Sequence, residues 1–358
     1  MNAVIFGLSI SSAWGNGHAT LWRALCRAFH GLGHDVVFFE RDVPYYASHR
    51  DMHGAPWCRL VLYPDWNTVA PSARQALADA DVAIVTSYCP DGQAASNLVF
   101  DSNVARKVYY DLDTPVTLEQ VGRGESVPYL PPSGLAGFDL VLSYGGGTTL
   151  TELRRCLGAR AVAPLYGSFD PEVHRPVPPR TEHRNDLSYL GTYAVDRQPA
   201  LERLFISVAR ERQSRCFVLA GSQYPPDFPW CPNMLYFWHM PPRDHASLFS
   251  SSGLTLNITR GAMVARGHCP PGRLFEAAAC GAAIVSDWWQ GLDAFFEPGR
   301  EVLIAHDTRD VLDALDLTDD ERRRIGRAAR ERALECHTAS LRARELERLL
   351  EPSWCGAA

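Results

Sequence analysis

The sequence predicts an α/β protein made of two doubly wound, parallel-sheet halves in tandem, and three observations carry that prediction. Short apolar runs alternate with helical patterns along most of the 358 residues. The runs are nearly continuous in apolar residues rather than alternating, as expected for strands covered on both faces. The alternation breaks once, near residue 164, where PLYGSFDPEVHRPVPPRTEHRND gathers five prolines with charged residues and little periodicity, and a second series then begins.

Taken in order, the run AVIFGLSI at 3–10 breaks into the polar, Gly-containing SSAWGNGHAT and then into the helical pattern TLWRALCRAFHGLG, which ends at Gly33. HDVVFFE at 34–40 is a second strand. A long segment with Pro, Tyr and Trp follows, then a helix and strand within SARQALADADVAIVTSY at 72–88. KVYYDLD at 107–113 and DLVLSY at 139–144 complete the first half. After the break come strands at 186–193, 215–221, 233–240, 253–259, 282–287 and 301–305, with helices at 198–212, 243–250 and 273–280. The Arg- and Glu-rich stretch 319–350 reads as two helices interrupted near Cys336–His337–Thr338, with a solvated charged face. The expected division is 1–168 for the first domain, 169–184 for a linker, 185–335 for the second domain and 336–358 for a C-terminal helix and tail.

Composition removes several function classes. Of the 35 basic residues only Lys107 is a lysine, a skew ascribed to a GC-rich genome, so a pyridoxal Schiff base or a phosphate-loop lysine would have to be Lys107. No G-x-x-x-x-G-K-[ST] surrounds it. The net charge is −6 and no basic stretch is interleaved with aromatics, so nucleic acid is not an expected partner. The loop after the first strand holds no G-x-G-x-x-G, which argues against a dinucleotide dehydrogenase. The ten cysteines are scattered without ligand-like spacing and read as reduced thiols. The N-terminus lacks a basic leader and a span-length apolar run, so a cytoplasmic location without a transmembrane segment is expected.

Sheets of this kind bind ligands at the carboxyl ends of their strands. The most specific segment there is RLFEAAACGAAIVSD, from Arg273 to Asp287, followed by QGLDAFFEPGREVLIA up to Ala305. It resembles the donor-binding half of GT-B glycosyltransferases, whose pattern runs E-A-x-A-x-G-x-P-V-V, a Gly-Leu turn and an E-x-x-x-x-G segment. YLGTYAVDRQPALERLF, FVLAGS, FWHMPPRDHASLFSSSGLTLNIT and SFDPEVHRP extend the resemblance over about 164–350. NITR, FEAAACG and DLDTPVT are most similar to the CgeB-like (spore maturation protein) subgroup. The resemblance implies a GT-B fold of two Rossmann-like domains facing a cleft, with C-terminal helices packing back toward the first, in a bacterial enzyme that uses a nucleotide sugar.

The same resemblance implies roles for individual residues. Glu276 stands where the family's glutamate accepts hydrogen bonds from the donor ribose diol; the residues alone also allow a helix N-terminal charge complementing the dipole. The family's second glutamate, eight positions earlier, is His268 here. Its diphosphate-clamping Arg and Lys become Thr192 and Arg197, beside Gly191, with Arg260 and Arg273 as further guanidinium candidates. Gly221 ends the second strand of this half, and His239 is a candidate contact to the nucleobase. Cys280 has nothing nearby to activate it, and small-residue packing explains it.

In the first half, Gly15, Asn16, Gly17 and His18 fall where the first strand meets a helix N-terminus. In inverting relatives a histidine in this loop is the general base held by an aspartate, which makes His18 with Asp111 or Asp113 a catalytic candidate; a helix-start histidine bonding a neighbouring carbonyl is the plainer reading. The turn SYGGGTTLTEL, with Gly146, either lines the ligand site or is a tight turn before a helix capped by Thr148 or Thr149. No obligatory metal or other cofactor is expected, since arginines and a helix N-terminus would neutralise the diphosphate. The D-x-D-like Asp111–Leu112–Asp113 lies in the acceptor half, away from Glu276. The expected reaction is transfer of a sugar from a UDP-, GDP- or dTDP-linked donor to an acceptor hydroxyl. A sugar-nucleotide epimerase of the same fold, or a catalytically silent sugar-nucleotide-binding protein, are the alternatives.

Overall fold

Apolar runs that cannot leave either face to water become central parallel strands, and that is where the Val-, Ile-, Leu- and Phe-rich segments lie. The computed structural model describes residues 1–351 and 354, and these divide into two units. Cys355 and the rest of the expected tail lie outside the described residues.

The first unit comprises Met1–Tyr166 and the segment that begins at Ala339. Its seven strands are β1 (Asn2–Gly7), β2 (Asp35–Arg41), β3 (Arg59–Tyr63), β4 (Val82–Thr86), β5 (Arg106–Asp111), β6 (Leu140–Ser143) and β7 (Val162–Pro164), all paired in parallel in the order β3-β2-β1-β4-β5-β6-β7. Ile5 on β1 stands between Phe38 on β2 and Ile84 on β4. Strand order reverses at β1, the switch point beside which ligands bind in such sheets. Val4, Phe6, Tyr109 and Phe138 centre one buried cluster.

The helix Ala339–Leu350 returns to this unit, burying Ala343, Leu346, Leu349 and Leu350. Glu347 Oε1 on it lies 2.9 Å from Nε2 of His34.

Two strands and a helix start were not foreseen. β3 is an edge strand whose RLVLY is mostly half-exposed, so it lacks the continuous apolar signal of its neighbours. The next helix begins at Trp66 rather than near 72, because Asp65 caps it by accepting from the Thr68 amide at 3.0 Å and Pro71 is accommodated inside it. β7 is only three residues long.

The second unit, Gly167–Thr338, holds β8 (Asn185–Leu190), β9 (Phe217–Ala220), β10 (Met234–Phe237), β11 (Ser252–Asn257), β12 (Ile284–Ser286) and β13 (Leu303–Ile304), parallel in the order β10-β9-β8-β11-β12-β13. The first sheet's winding is thus repeated, with the reversal at β8. Leu187, Phe205, Leu219, Leu256 and Val285 lie in its core.

The expected linker 169–184 packs within this unit instead of standing free. Phe169, Asp170, His174 and His183 are buried, and the amides of Val177 and Arg180 donate to Ser250 Oγ and Ser251 Oγ at 3.1 and 2.9 Å. Prolines remove periodicity there without removing contacts. No helix among the described residues is long and apolar enough to cross a membrane, and the nine described cysteines are free thiols.

Candidate functional sites

In the first unit the loop after β1 is held from beneath by Glu40, at the end of β2. Its fully buried carboxylate accepts from the Ile10 and Ser11 amides at 2.8 and 2.9 Å and from the hydroxyls of Ser9 and Ser11 at 2.9 and 2.5 Å. Gly15 takes a left-handed φ of 58°, and Asn16 then caps the helix Gly17–Gly31. Asn16 Oδ1 accepts from the His18 amide at 3.0 Å while its Nδ2 donates to the carbonyls of Ser9 and Ser12. The amide of Asn16 is therefore spent on shaping the loop, and Gly17 faces open space.

His18, the second residue of that helix, reaches across to the end of β5. Its Nε2 lies 3.0 Å from Asp113 Oδ2, and its Nδ1 is buried without a hydrogen-bond partner. A carboxylate can only accept from the ring, so Nε2 carries the proton and Nδ1 keeps the lone pair in the neutral state. The ring edge of His18 also meets Tyr88, itself held at a left-handed φ of 59°.

Asp111 does not contact His18 in this way. It is wholly buried, accepts from the Asp113 amide at 3.0 Å through Oδ1 and leaves Oδ2 without a partner. Burial pushes its carboxyl up to about 6, even though the neighbouring Thr117 and Ser87 hydroxyls and the Asp113 amide favour the charged form. Of the two aspartates, the geometry pairs His18 with Asp113 and places Asp111 beneath the turn.

Gly146 sits where a Cβ would overlap the Tyr166 hydroxyl. The following helix, Thr148–Leu157, is capped by Gly147 at a φ of 59°; neither Thr148 nor Thr149 does so, because that backbone conformation is one only glycine adopts freely.

In the second unit, the carboxyl ends of β8, β9 and β11 converge with the helix Gly272–Ala279. Gly191 and Gly221 touch back to back: Gly221, at a φ of 149°, would drive a Cβ into the Gly191 carbonyl, and a Cβ on Gly191 would come within 2.7 Å of Arg273 Nη2. Tyr224 and Tyr236 donate to the carbonyls of Gly191 and Gly221 at 2.9 and 3.0 Å, fixing this floor.

Arg273 lies over the Tyr189 ring at 5.2 Å and donates weakly to Asn257 Oδ1 at 3.4 Å, with Nε unpartnered. Burial draws its pKa down, and the nearby Arg197 charge adds to that. Arg197 donates to the Thr192 carbonyl at 3.1 Å, so Thr192 contributes backbone to the turn. Arg260 Nε stands 3.5 Å from Asp196 Oδ2, which also accepts from the Gly261 amide, and Arg260 is thereby tied to the turn carrying Arg197.

Glu276 is the fifth residue of its eight-residue helix, past the first turn and turned inward, so it does not act as an N-terminal charge. Burial favours its neutral form, but positive charge on His174 and His245 when protonated, and on Arg273, outweighs that and holds the carboxyl down at about 2. His268 occupies a left-handed φ of 46° and its amide donates to the Gln290 carbonyl at 2.6 Å, with its ring packed against Gly291. His239 follows β10, next to the exposed Trp238. Burial drives the Cys280 thiol up to about 12, which keeps it unreactive.

Reading the sequence missed Tyr189, Asn257, His174 and His245. Tyr189 and Asn257 carry no signal beyond their strands. His174 and His245 are 71 positions apart and both far from Glu276 in the chain, and only the fold brings them to it.

Residues 197–348 match the glycosyl transferase-like family. No curated protein sequence matches the chain. Among solved structures, the chain is similar to sucrose-phosphate synthase from Thermosynechococcus elongatus, at 14% identity over 97% of this chain and 98% of that one with a TM-score of 0.71. It is likewise similar to an α-glucosyltransferase in complex with UDP-glucose and DNA containing an abasic site, at 13% identity over 98% and 99% of the two chains with a TM-score of 0.72. Anabaena HepE in complex with UDP-glucose is a third, at 11% identity over 98% and 99% with a TM-score of 0.65. At these identities the likeness is one of fold, and that fold is GT-B: two Rossmann-like units, each with its own parallel sheet.

Proposed function

We propose that the chain transfers a glycosyl group from a nucleotide sugar to an acceptor hydroxyl, and that it is nearest in kind to the CgeB-like enzymes. The observation that carries this reading is the pairing of an inward, ionised Glu276 with Arg273 beside the glycine floor of Gly191 and Gly221. A carboxylate suits a vicinal diol, guanidinium groups suit a diphosphate, and side-chain-free backbone lets the ligand approach closely.

In this reading Glu276 accepts from the ribose hydroxyls, while Arg197, Arg273 and Arg260 face the diphosphate. Their charge disperses the negative charge that grows as the bond between the anomeric carbon and the phosphate oxygen breaks. The acceptor oxygen bonds to the anomeric carbon, and its proton passes to the lone pair on His18 Nδ1. Asp113 stabilises the resulting imidazolium through Nε2–H. The nucleoside diphosphate leaves without a metal ion bound to it. A cytoplasmic enzyme with a UDP-, GDP- or dTDP-linked donor is the form we assign. Calorimetry with each of these sugar nucleotides, on wild type and Glu276→Gln, tests it.

A further inference from the structure

Three side chains from three separate segments turn toward one another behind the proposed ribose site. His174 comes from the irregular stretch after Gly167, His245 from the helix Pro242–Ser251, and Glu276 from the helix Gly272–Ala279. One ligand-capable atom from each lies within 4.8 Å of the other two. His245 Nδ1 is 3.5 Å and His174 Nε2 is 3.9 Å from the same oxygen, Glu276 Oε2. His174 and Glu276 are buried, and the His245 side chain is 11% exposed.

These separations are too long for direct hydrogen bonds. The same chain makes a true histidine–carboxylate bond at 3.0 Å between His18 and Asp113. The proton inventory sharpens the contrast. His245 Nε2 lies 3.1 Å from the Met240 carbonyl oxygen, which can only accept, so Nε2 bears the ring proton. In the neutral ring Nδ1 then aims a lone pair at a carboxylate oxygen. His174 has no hydrogen-bond partner on either ring nitrogen, though it is buried. The lone pair on His245 Nδ1 faces a carboxylate oxygen in a buried space, with the unpartnered His174 ring beside them, and this arrangement is stabilised when something positive stands among the three.

We propose that His174, His245 and Glu276 form a binding site for a divalent transition-metal ion of the Zn²⁺ class. Two imidazoles and one carboxylate are a ligand set zinc accepts, with metal–ligand distances of about 2.0–2.2 Å and ligand atoms therefore about 3.3 Å apart in a tetrahedron. The two histidine nitrogens lie 3.5 and 3.9 Å from Glu276 Oε2, close to that spacing, and within 4.8 Å of each other, and they draw together on binding the ion. The Met240 carbonyl on His245 Nε2–H is the outer partner that fixes a metal-bound imidazole's tautomer. Three protein ligands leave one coordination position open.

The ion sits on Oε2 of Glu276, which leaves Oε1 for the donor. Insofar as Glu276 receives the ribose diol, a point that rests on the function proposed above, the ion locks that carboxylate in place for it.

Metal uptake is measured without nucleotide, so its outcome and that of donor calorimetry are independent. The chelator-stripped full-length protein is titrated with Zn²⁺ against a chromophoric chelator. One equivalent per chain is expected, weakened at least about 100-fold in His174→Gln and in His245→Gln, the upper end of what losing a mere outer partner costs. His306→Gln, on an exposed residue outside the site, keeps the wild-type affinity. Absence of stoichiometric uptake overturns the proposal, as does uptake that both substitutions leave unchanged. Should either variant fail to fold by circular dichroism, Co²⁺ added to the wild-type protein decides. Strong d–d absorption of a four- or five-coordinate site supports it, and only the weak absorption of hydrated Co²⁺ overturns it.

Discussion

Asp113 stands at the N-cap of the helix Thr114–Gly122, yet its carboxylate makes no capping bond there and lies instead 3.0 Å from His18 Nε2. An N-cap aspartate normally satisfies a free amide of the first turn, worth about 1 kcal/mol. Here that carboxylate is turned to a ring on another element, which fixes the tautomer and leaves Nδ1 basic. Asp113→Asn should therefore lower kcat by about 100-fold or more while leaving donor KM near the wild-type value. Steady-state kinetics with the donor varied checks the split, and an effect confined to KM would contradict the assignment.

Glu276→Gln keeps the side-chain shape and removes the charge. Hydrogen bonds to a charged group contribute about 1.5–3 kcal/mol each, so losing the charge that accepts the diol hydroxyls should weaken sugar-nucleotide binding about 100-fold. Calorimetry reads this directly, and unchanged affinity would remove Glu276 from the donor site.

Asp111 sets a pH dependence of stability whose sign is opposite to that of most carboxylates. Its folded-state pKa, raised by burial to about 6, lies above the unfolded value of about 3.9. The folded protein thus holds the extra proton between those values, and the contribution is fully present below about pH 4 and lost as pH rises through about 6. Asp111→Asn keeps the acceptor for the Asp113 amide and removes the titration. Relative to wild type, the variant should gain about 2–3 kcal/mol between pH 4 and pH 7.5 in urea unfolding. A constant difference across that range would show that Asp111 does not titrate there.

Gly221→Ala should destabilise the second unit by about 2 kcal/mol or more, because a Cβ would enter the Gly191 carbonyl at a φ that L-residues rarely adopt. Chemical denaturation measures it, and the neighbouring floor of the proposed donor site should lose ligand affinity in the same variant.

Glu40→Ala should cost about 3 kcal/mol or more by leaving two amides and two hydroxyls of the loop after β1 without their shared acceptor. The loss is checked by unfolding, with hydrogen exchange at Ile10 and Ser11 accelerated in the native state.

What could be read from the sequence follows the range of the interaction involved. Central strands such as Val82–Thr86 announce themselves because burial on both faces demands a continuous apolar run. The edge strand Arg59–Tyr63 is under no such demand and stayed hidden. Glu276 and Arg273 were legible since they sit in one short segment with a recognisable pattern. The choice between Asp111 and Asp113 was not, because it depends on which way a turn rotates two residues apart. His174 and His245 were beyond reach for a different reason: their neighbour is Glu276 only after β8, β11 and their helices have assembled. The stretch 169–184 misled because prolines suppress periodicity whether or not the backbone is packed.

The return of the helix Ala339–Leu350 to the first unit bears on how the chain matures on the ribosome. The first unit is discontinuous, so when residue 166 has emerged it still lacks the helix that buries its own Ala343, Leu346 and Leu349 and places Glu347 against His34. The second unit is one uninterrupted segment and has all its residues earlier. Vectorial synthesis, which favours folding of whatever is complete, thus lets the second unit finish first, while the first waits for the helix Ala339–Leu350.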